Sequence, residues 1–168
     1  KRVVGGMNAC LSDCVAIKDA AEVPFGFHSR HSAIRKTYLY RIAIRSYPPV
    51  LDRGKVGWER TPLKLEALRA ALRHFLGAHD FSAFAAAGGN SNSTERTIFS
   101  AHAFPVRGGM NLIFQGDGFL YRQVRNMVGS LIEVGRGNRD PEWIAAVLDS
   151  RDRSRAGPTA SAEGLYLL

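Results

Sequence analysis

Apolar positions recur along this chain with two periods, and the period changes at points marked by glycine and proline. TYLYRIAIR (37–45) alternates: Tyr38, Tyr40, Ile42 and Ile44 fall on one side and Leu39, Arg41, Ala43 and Arg45 on the other, which predicts a half-buried strand. A helix is predicted over 63–76, where Leu65, Leu68, Leu72 and Phe75 share a face, Thr61-Pro62 stands at its start and Gly77 at its stop. Residues 96–106 and 110–116 read as two strands joined through Arg107-Gly108-Gly109, a hairpin. Then comes the longest helical stretch, GFLYRQVRNMVGSLIEVGRG (118–137). Leu120, Val124, Met127, Val128, Leu131 and Gly135 form its apolar stripe, and Arg122, Gln123, Asn126, Ser130 and Glu133 fall on the opposite, wet side.

The remaining segments are shorter. Val3, Val4, Met7 and Leu11 make a small apolar cluster, read as a short helix followed by a strand at VAI (15–17). Pro48-Pro49 and Gly54 break the chain into a loop, and AAAGGNSNST (85–94) is a surface loop and a mobile one. In HDFSAF (79–84), Asp80 either caps the turn that follows or reaches toward a site. Asp140-Pro141 opens another helix with Trp143, Ile144, Val147 and Leu148 inward, and GLYLL (164–168) is a short apolar strand. Elements in this order predict an α+β domain: a mixed, largely antiparallel sheet with helices packed on one face.

One charge is awkward in this pattern. Arg125 sits at the border of the long helix's two arcs, in a row with Tyr121, Val128, Gly129 and Ile132, so its guanidinium leaves the helix beside apolar neighbours. Two readings stand: a rim arginine that lays its stem on the core and its head in water, or an arginine that meets an anion. Gly129, in mid-helix, costs about 1 kcal/mol against alanine and points to another backbone or a ligand passing close.

Composition narrows the partners. With 168 residues the chain is long enough for one domain with an ordinary core. It carries 23 Lys+Arg against 15 Asp+Glu, a formal +8, spread along most of its length, and a phosphate-rich partner is the natural inference beside the plainer one of a basic soluble protein. Cys10 and Cys14 match neither a zinc site nor a disulfide framework and read as free thiols. No run approaches the roughly 18 apolar residues of a membrane span. KRVVGGMN begins without methionine and in mid-pattern, as a chain cut from something longer would. The phosphate-binding, zinc-hydrolase and nucleophile-elbow motifs are all absent.

From Val23 to Leu51 there is no acidic residue, while Arg30, Arg35, Lys36, Arg41 and Arg45 lie there with His28 and His31. Tyr38 opens its strand at the edge of this basic stripe, either as core with its hydroxyl at the rim or as a stacking platform for a nucleobase. Read from the residues alone, this is a basic, aromatic-bearing domain suited to nucleic acid, with its chemistry unspecified.

Four segments add a resemblance. FHSRHSAIRKTYLYRI (27–42), FLGAHDFSAF (75–84), GFLYRQVRNMVGSLIEVGRG (118–137) and RDRSRAGPTASAEGLYLL (151–168) together resemble, in order and across nearly the whole chain, the C-terminal half of the TruA family of tRNA pseudouridine synthases. The resemblance implies that residues 1–168 are the C-terminal domain of such an enzyme, with the pseudouridine synthase fold. It implies isomerisation of uridine to pseudouridine in the anticodon arm of tRNA without a cofactor or metal, in a cytoplasmic homodimer. An aspartate attacks the nucleotide, and the base is detached, turned and rejoined through carbon 5 in place of nitrogen 1. Tyr38 then corresponds to the tyrosine that stacks on the uracil and moves its proton, Arg125 to the arginine that pairs with the catalytic aspartate, and Leu165 to the aliphatic residue against the base. Arg30, Arg35 and Lys36 would meet tRNA phosphates, and an isomerised uridine must leave its stack.

The departure from the family is as informative. Its nucleophile lies in an R-T-D-A-G-V-H-like segment, upstream of the position matching Asn8, and Asp13, Asp19, Asp80 and Asp117 all lack that context. The expectation is that the nucleophilic aspartate belongs to an N-terminal half outside these residues and that this chain alone is inactive. The alternative is a tRNA-binding module that keeps the fold without catalysis.

Overall fold

The computed structural model describes residues 2–29 and 32–168, in two compact units, 1–33 and 34–168. In the first unit, α1 (Arg2–Asn8) is the predicted short helix, and it buries none of its residues. Val3, Met7 and Leu11 are exposed, so the expected apolar cluster does not form a core. The expected strand at 15–17 is absent as well. Its backbone is already engaged, since the Asn8 amide donates to the Ile17 carbonyl at 2.9 Å and accepts the Ile17 N–H at 2.7 Å, leaving those groups unavailable to a ladder.

The second unit is built on six strands: β1 (Lys36–Ile44), β2 (Gly57–Glu59), β3 (Gly77–Asp80), β4 (Glu95–Val106), β5 (Gly109–Gly116) and β6 (Leu165–Leu167). They lie in the order β2-β1-β5-β4-β3, and β6 also joins β1. Only β1 and β2 run parallel, so the sheet is mixed and largely antiparallel as expected. One edge of β1 is divided between two short strands: β6 takes Tyr38 to Tyr40 and β2 takes Ile42 to Ile44, while β5 fills the other edge. The β4–β5 hairpin turns through Arg107-Gly108, with Val106 opposite Gly109 and Gly108 at φ +75°, a left-handed conformation glycine adopts at no cost.

The alternation read along β1 sets the two faces of the sheet. Tyr40 and Ile42 are buried, with Leu112 and Phe114 of β5, under α2 (Leu65–Arg73), α3 (Gln123–Arg136) and α4 (Trp143–Ser150), which contribute Leu68, Leu72, Met127, Leu131, Ile144 and Val147. Each such side chain contributes about 1.5–3 kcal/mol by leaving water. α2 is shorter than the predicted 63–76, because the chain beyond it turns at Gly77, φ +95°, directly into β3. β2 and β3 lie in stretches read from the sequence as irregular. They are only three and four residues long, below the length at which alternation is readable. Asp80 acts just ahead of the 3₁₀ turn Ser82–Phe84, whose N-cap position is Phe81: its Oδ1 accepts the Ser82 N–H at 2.9 Å, and its Oδ2 pairs with Arg151 Nε at 3.4 Å.

The long helix departs from expectation in two ways. It begins at Gln123, not Gly118, because Arg122 takes a left-handed φ of 57° and the Gln123 side chain folds back to accept the Leu120 N–H at 2.8 Å. Much of its supposedly wet side is dry: Gln123, Asn126 and Ser130 are fully buried, while Arg122 is exposed and Glu133 partly so. Asn126 and Ser130 are covered by the segment 156–161, laid along the helix. Gly157 N–H donates to Ser130 Oγ at 2.9 Å, Thr159 Oγ1 donates to Asn126 Oδ1 at 2.7 Å, and Asn126 Nδ2 donates to the Phe84 carbonyl at 2.6 Å. Arg153 ties the segment together, donating to the Gly157 carbonyl, Asn126 Oδ1 and Thr159 Oγ1 at 3.0 to 3.1 Å. A β-carbon on Gly129 would stand 1.6 Å from the Pro158 carbonyl oxygen. The mid-helix glycine therefore marks a close backbone approach, as its sequence position implied.

Candidate active site

Arg125 leaves α3 where this covering segment turns toward β6. Its Nε donates to the Ala160 carbonyl at 2.7 Å, and its own carbonyl accepts the Ala160 N–H at 3.1 Å. The side chain is half-buried, and no described residue accepts a hydrogen bond from its two terminal nitrogens or pairs with it as a carboxylate. The stem is thus fixed by backbone while the outer edge of the guanidinium stays open. This is neither of the pure alternatives read from the sequence: the arginine is anchored as well as open to an anion.

The β1–β6 pairing brings the aromatic and aliphatic residues to the same face. Leu165 lies opposite Tyr40 and Leu167 opposite Tyr38, and side chains at directly opposed positions share a face. Tyr40 is 1% exposed, and its hydroxyl donates to the Ser161 carbonyl at 2.9 Å. Burial pushes its ionisation above the ordinary tyrosine range, against the opposing pull of the Ser161 hydrogen bond and of the nearby Arg125 charge. Arg125, Tyr40, Ser161 and Leu165 are therefore one connected group. Tyr38 is half-buried one step toward the start of β1, with its ring edge-on to Phe119 at 5.1 Å between centroids.

The basic residues named from the sequence are more dispersed. Lys36 begins β1 and lies in register with Gly116, half-buried. Arg35 is exposed, with its guanidinium 5.6 Å from the ring centroid of Phe99. Arg30 lies outside the described residues. Asp13 and Asp19 belong to the other unit, Asp80 is held by the Ser82 N–H and by Arg151, and both carboxylate oxygens of Asp117 accept the Thr97 N–H at 3.1 Å.

Three participants escaped the sequence reading. Tyr40 was placed on the correct face, but its hydroxyl contact with Ser161 spans 121 residues of chain and has no local signal. Asn126 and Arg153 are polar residues whose partners come from distant segments, so helical periodicity assigned Asn126 to water. Among the described residues no group of His, Cys, Asp or Glu is placed to hold a metal ion.

Tyr38 and Leu165 thus share one face of the sheet, and the outer edge of the Arg125 guanidinium, linked to that face through Ser161 and Tyr40, is open to an anion. Residues 71–168 match the family model described as tRNA pseudouridine synthase. The chain is 42% identical over 165 residues to tRNA pseudouridine synthase A of Burkholderia multivorans, covering 98% of this chain and 61% of that protein. It is 40% identical over 167 residues to the protein of the same name from Variovorax paradoxus, covering 97% and 62%, and 38% identical over 164 residues to that of Burkholderia mallei, covering 98% and 61%. The chain belongs to the tRNA pseudouridine synthase family. It spans about 61% of the length of these relatives.

Proposed function

We propose that this chain supplies the C-terminal part of the active site, and part of the tRNA-binding surface, of an enzyme that isomerises uridine to pseudouridine in the anticodon arm of tRNA. The observation that carries the reading is the Arg125 guanidinium, pinned at Nε by the Ala160 carbonyl and open at its outer edge, on the sheet face that also presents Tyr38 and Leu165. An arginine held this way is prepared for a carboxylate in two-pronged contact.

In this reading the carboxylate is the nucleophilic aspartate, carried on polypeptide outside these 168 residues. It attacks the ribose as the bond to nitrogen 1 breaks, the detached base turns, carbon 5 displaces the aspartate from the ribose and frees its carboxylate, and the proton leaves carbon 5 while nitrogen 1 takes one up. Tyr38 stacks on the uracil and moves that proton. Leu165 packs on the other part of the base, so the uracil stays desolvated while detached. Arg30, Arg35 and Lys36 meet tRNA phosphates, which contributes affinity that falls with salt. The enzyme works in the cytoplasm as a homodimer and needs no cofactor.

The test uses tRNA carrying tritium at uridine carbon 5, which is released on isomerisation. The intact gene product should release it and the 168-residue chain alone should not. Release by the short chain would overturn the assignment of the nucleophile to another segment. Binding of tRNA without release by the intact product would replace the enzyme with a non-catalytic tRNA-binding module.

A further inference from the structure

The face of the sheet turned away from Tyr38 carries a second concentration of polar chemistry. Arg41 lies in register with Asn111 of β5, and the alternation along β1 puts both on the face opposite Tyr38 and Tyr40. Arg45 follows just beyond the strand, and Arg107 sits in the β4–β5 turn. These four residues, with Asp52, Val56 and Val106, line a cleft of about 40 Å³. By volume that is room for about three waters or one tetrahedral oxyanion.

In two of these residues a polar atom just beneath the cleft surface, Nε of Arg45 and Oδ1 of Asn111, is buried and meets no hydrogen-bond partner among the described residues. Buried groups in that state are rare in native proteins, so the wall of this cleft carries polar capacity that the fold itself does not use. The charge balance indicates which kind of ligand that capacity suits. Three guanidinium groups share the cleft with one carboxylate, and Asp52 Oδ2 stands 3.7 Å from Arg45 Nη2, too far for a good hydrogen bond. Aromatic rings support the cations from behind: Arg41 lies 5.9 Å from the Tyr166 ring centroid and Arg45 5.8 Å from that of Tyr47. Next to them Trp58, under Arg60 at 4.6 Å, donates its indole N–H to the Arg45 carbonyl at 2.9 Å. A guanidinium resting on a ring keeps its in-plane N–H donors available.

We propose that this cleft is a phosphate-binding site, separate from the Arg125 pocket and on the opposite face of the sheet. The guanidinium groups of Arg41, Arg45 and Arg107 donate to the phosphate oxygens. Asn111 joins them when its amide turns over, which exchanges oxygen for NH₂ with little change in shape. The phosphate belongs either to an RNA backbone, with Tyr47, Trp58 and Tyr166 beside it as stacking surfaces, or to a small phosphorylated molecule. The inference does not depend on the isomerase reading, and its test involves no turnover. The rival explanation is a water that bridges Arg45 Nε–H and Asn111 Oδ1.

The experiment follows the Arg45 Nε–H and Asn111 side-chain NH₂ resonances of ¹⁵N-labelled protein while inorganic phosphate, and separately a short RNA stem-loop, is added at constant ionic strength. Saturable shifts with both, together with competition between them, assign the site to RNA backbone. Shifts with phosphate that RNA neither produces nor displaces assign it to a small phosphorylated ligand. In the first case Arg107→Gln, on an exposed turn where folding is not at stake, should weaken RNA binding about fivefold to tenfold and reduce the salt slope by about 1. In the second it should weaken inorganic phosphate by a similar factor. Chloride shifts as large as those from phosphate, no shift with either ligand, or full affinity in Arg107→Gln would overturn the proposal and leave a cleft that holds water.

Discussion

Arg125 and Ala160 hold each other twice, through the guanidinium Nε on the Ala160 carbonyl at 2.7 Å and through the Ala160 N–H on the Arg125 carbonyl at 3.1 Å. Such reciprocal contact fixes the direction in which the rest of the guanidinium points. It also makes the covering segment, and not the helix alone, the support of the charge. A charge supported in this way is preorganised, so little reorganisation accompanies ion pairing.

Replacing Arg125 by leucine should therefore separate chemistry from binding. In the intact enzyme proposed above, turnover should fall about 100-fold to 1000-fold, the range for loss of one preorganised charged contact, while tRNA affinity changes by less than about threefold. Arg125→Lys keeps the charge but loses the Nε contact, and should recover only part of the activity. The check is kcat against tRNA Kd for the three proteins. Equal loss of both would favour a binding module.

Tyr40 reaches the same segment from the sheet. Tyr40→Phe keeps the ring in the core and removes only the hydroxyl bond to Ser161, so stability should drop by about 1 kcal/mol in urea unfolding. Its ionisation should also stand apart: in an alkaline spectrophotometric titration, one tyrosine titrates above the ordinary range, and the Phe variant lacks that component.

Gly129 sets helix propensity against packing. On propensity alone Gly129→Ala would stabilise the helix by about 1 kcal/mol. The added β-carbon would meet the Pro158 carbonyl oxygen at 1.6 Å, a backbone atom that cannot swing aside, so the covering segment must lift or the helix must shift. The expected result is net destabilisation of at least 2 kcal/mol in thermal or urea melts, with heightened amide exchange across 156–161. A stabilised variant would contradict the close approach.

Glu59 gives a pH dependence. Its side chain is 3% exposed and accepts from Arg136 Nη2 at 2.6 Å and from the Thr61 N–H at 2.9 Å. Burial pushes its carboxyl up, but the bonds from Arg136 and Thr61 together outweigh burial and hold it below the usual glutamate range. A carboxyl with a lowered folded value contributes stability that is complete above the unfolded value, about 4.3, and is lost as pH falls through the folded value. Between pH 7 and 5 this contribution should be constant, and below about pH 4 the wild type should lose stability that Glu59→Gln does not lose. Arg136 stays charged throughout, so the slope belongs to the carboxyl. Urea midpoints across pH 3 to 7 for both proteins would check it.

Much of the architecture was legible because its signals are local. The alternation over 37–45, the Arg-Gly-Gly turn and the apolar stripe of 118–137 each act within a few residues of themselves, and the elements they predicted are present. Gly129 also announced its neighbour, because a mid-helix glycine needs a reason. Illegible features were those settled by distant chain. Asn126 and Ser130 satisfy every sequence criterion for a solvent face, yet hydrogen bonds from Gly157 and Thr159 let them be buried without loss. The start of α3 was misread for a different reason: Arg122 takes a left-handed turn that arginine seldom adopts, and nothing in its neighbours foretells it. Of the candidate site, Tyr38 and Arg125 stand out in the pattern, Leu165 is named only by the family resemblance, and the pairing of β6 with β1 that sets Leu165 on the face of Tyr38 has no local signal. Nor has the bond that aims Arg125.

Strand β6 closes the edge of β1 from the far end of the described chain, and Tyr40 waits 121 residues for its acceptor at Ser161. At a translation speed of about 5–20 residues per second, the ribosome needs roughly 6–24 s to deliver that partner after Tyr40 emerges. During that interval β1 has a bare edge and α3 an uncovered polar side. The Arg125–Tyr40–Ser161 group therefore cannot assemble until residue 161 has been made, and a chain interrupted before that point has a sheet with a bare edge and an arginine with no carbonyl to aim it.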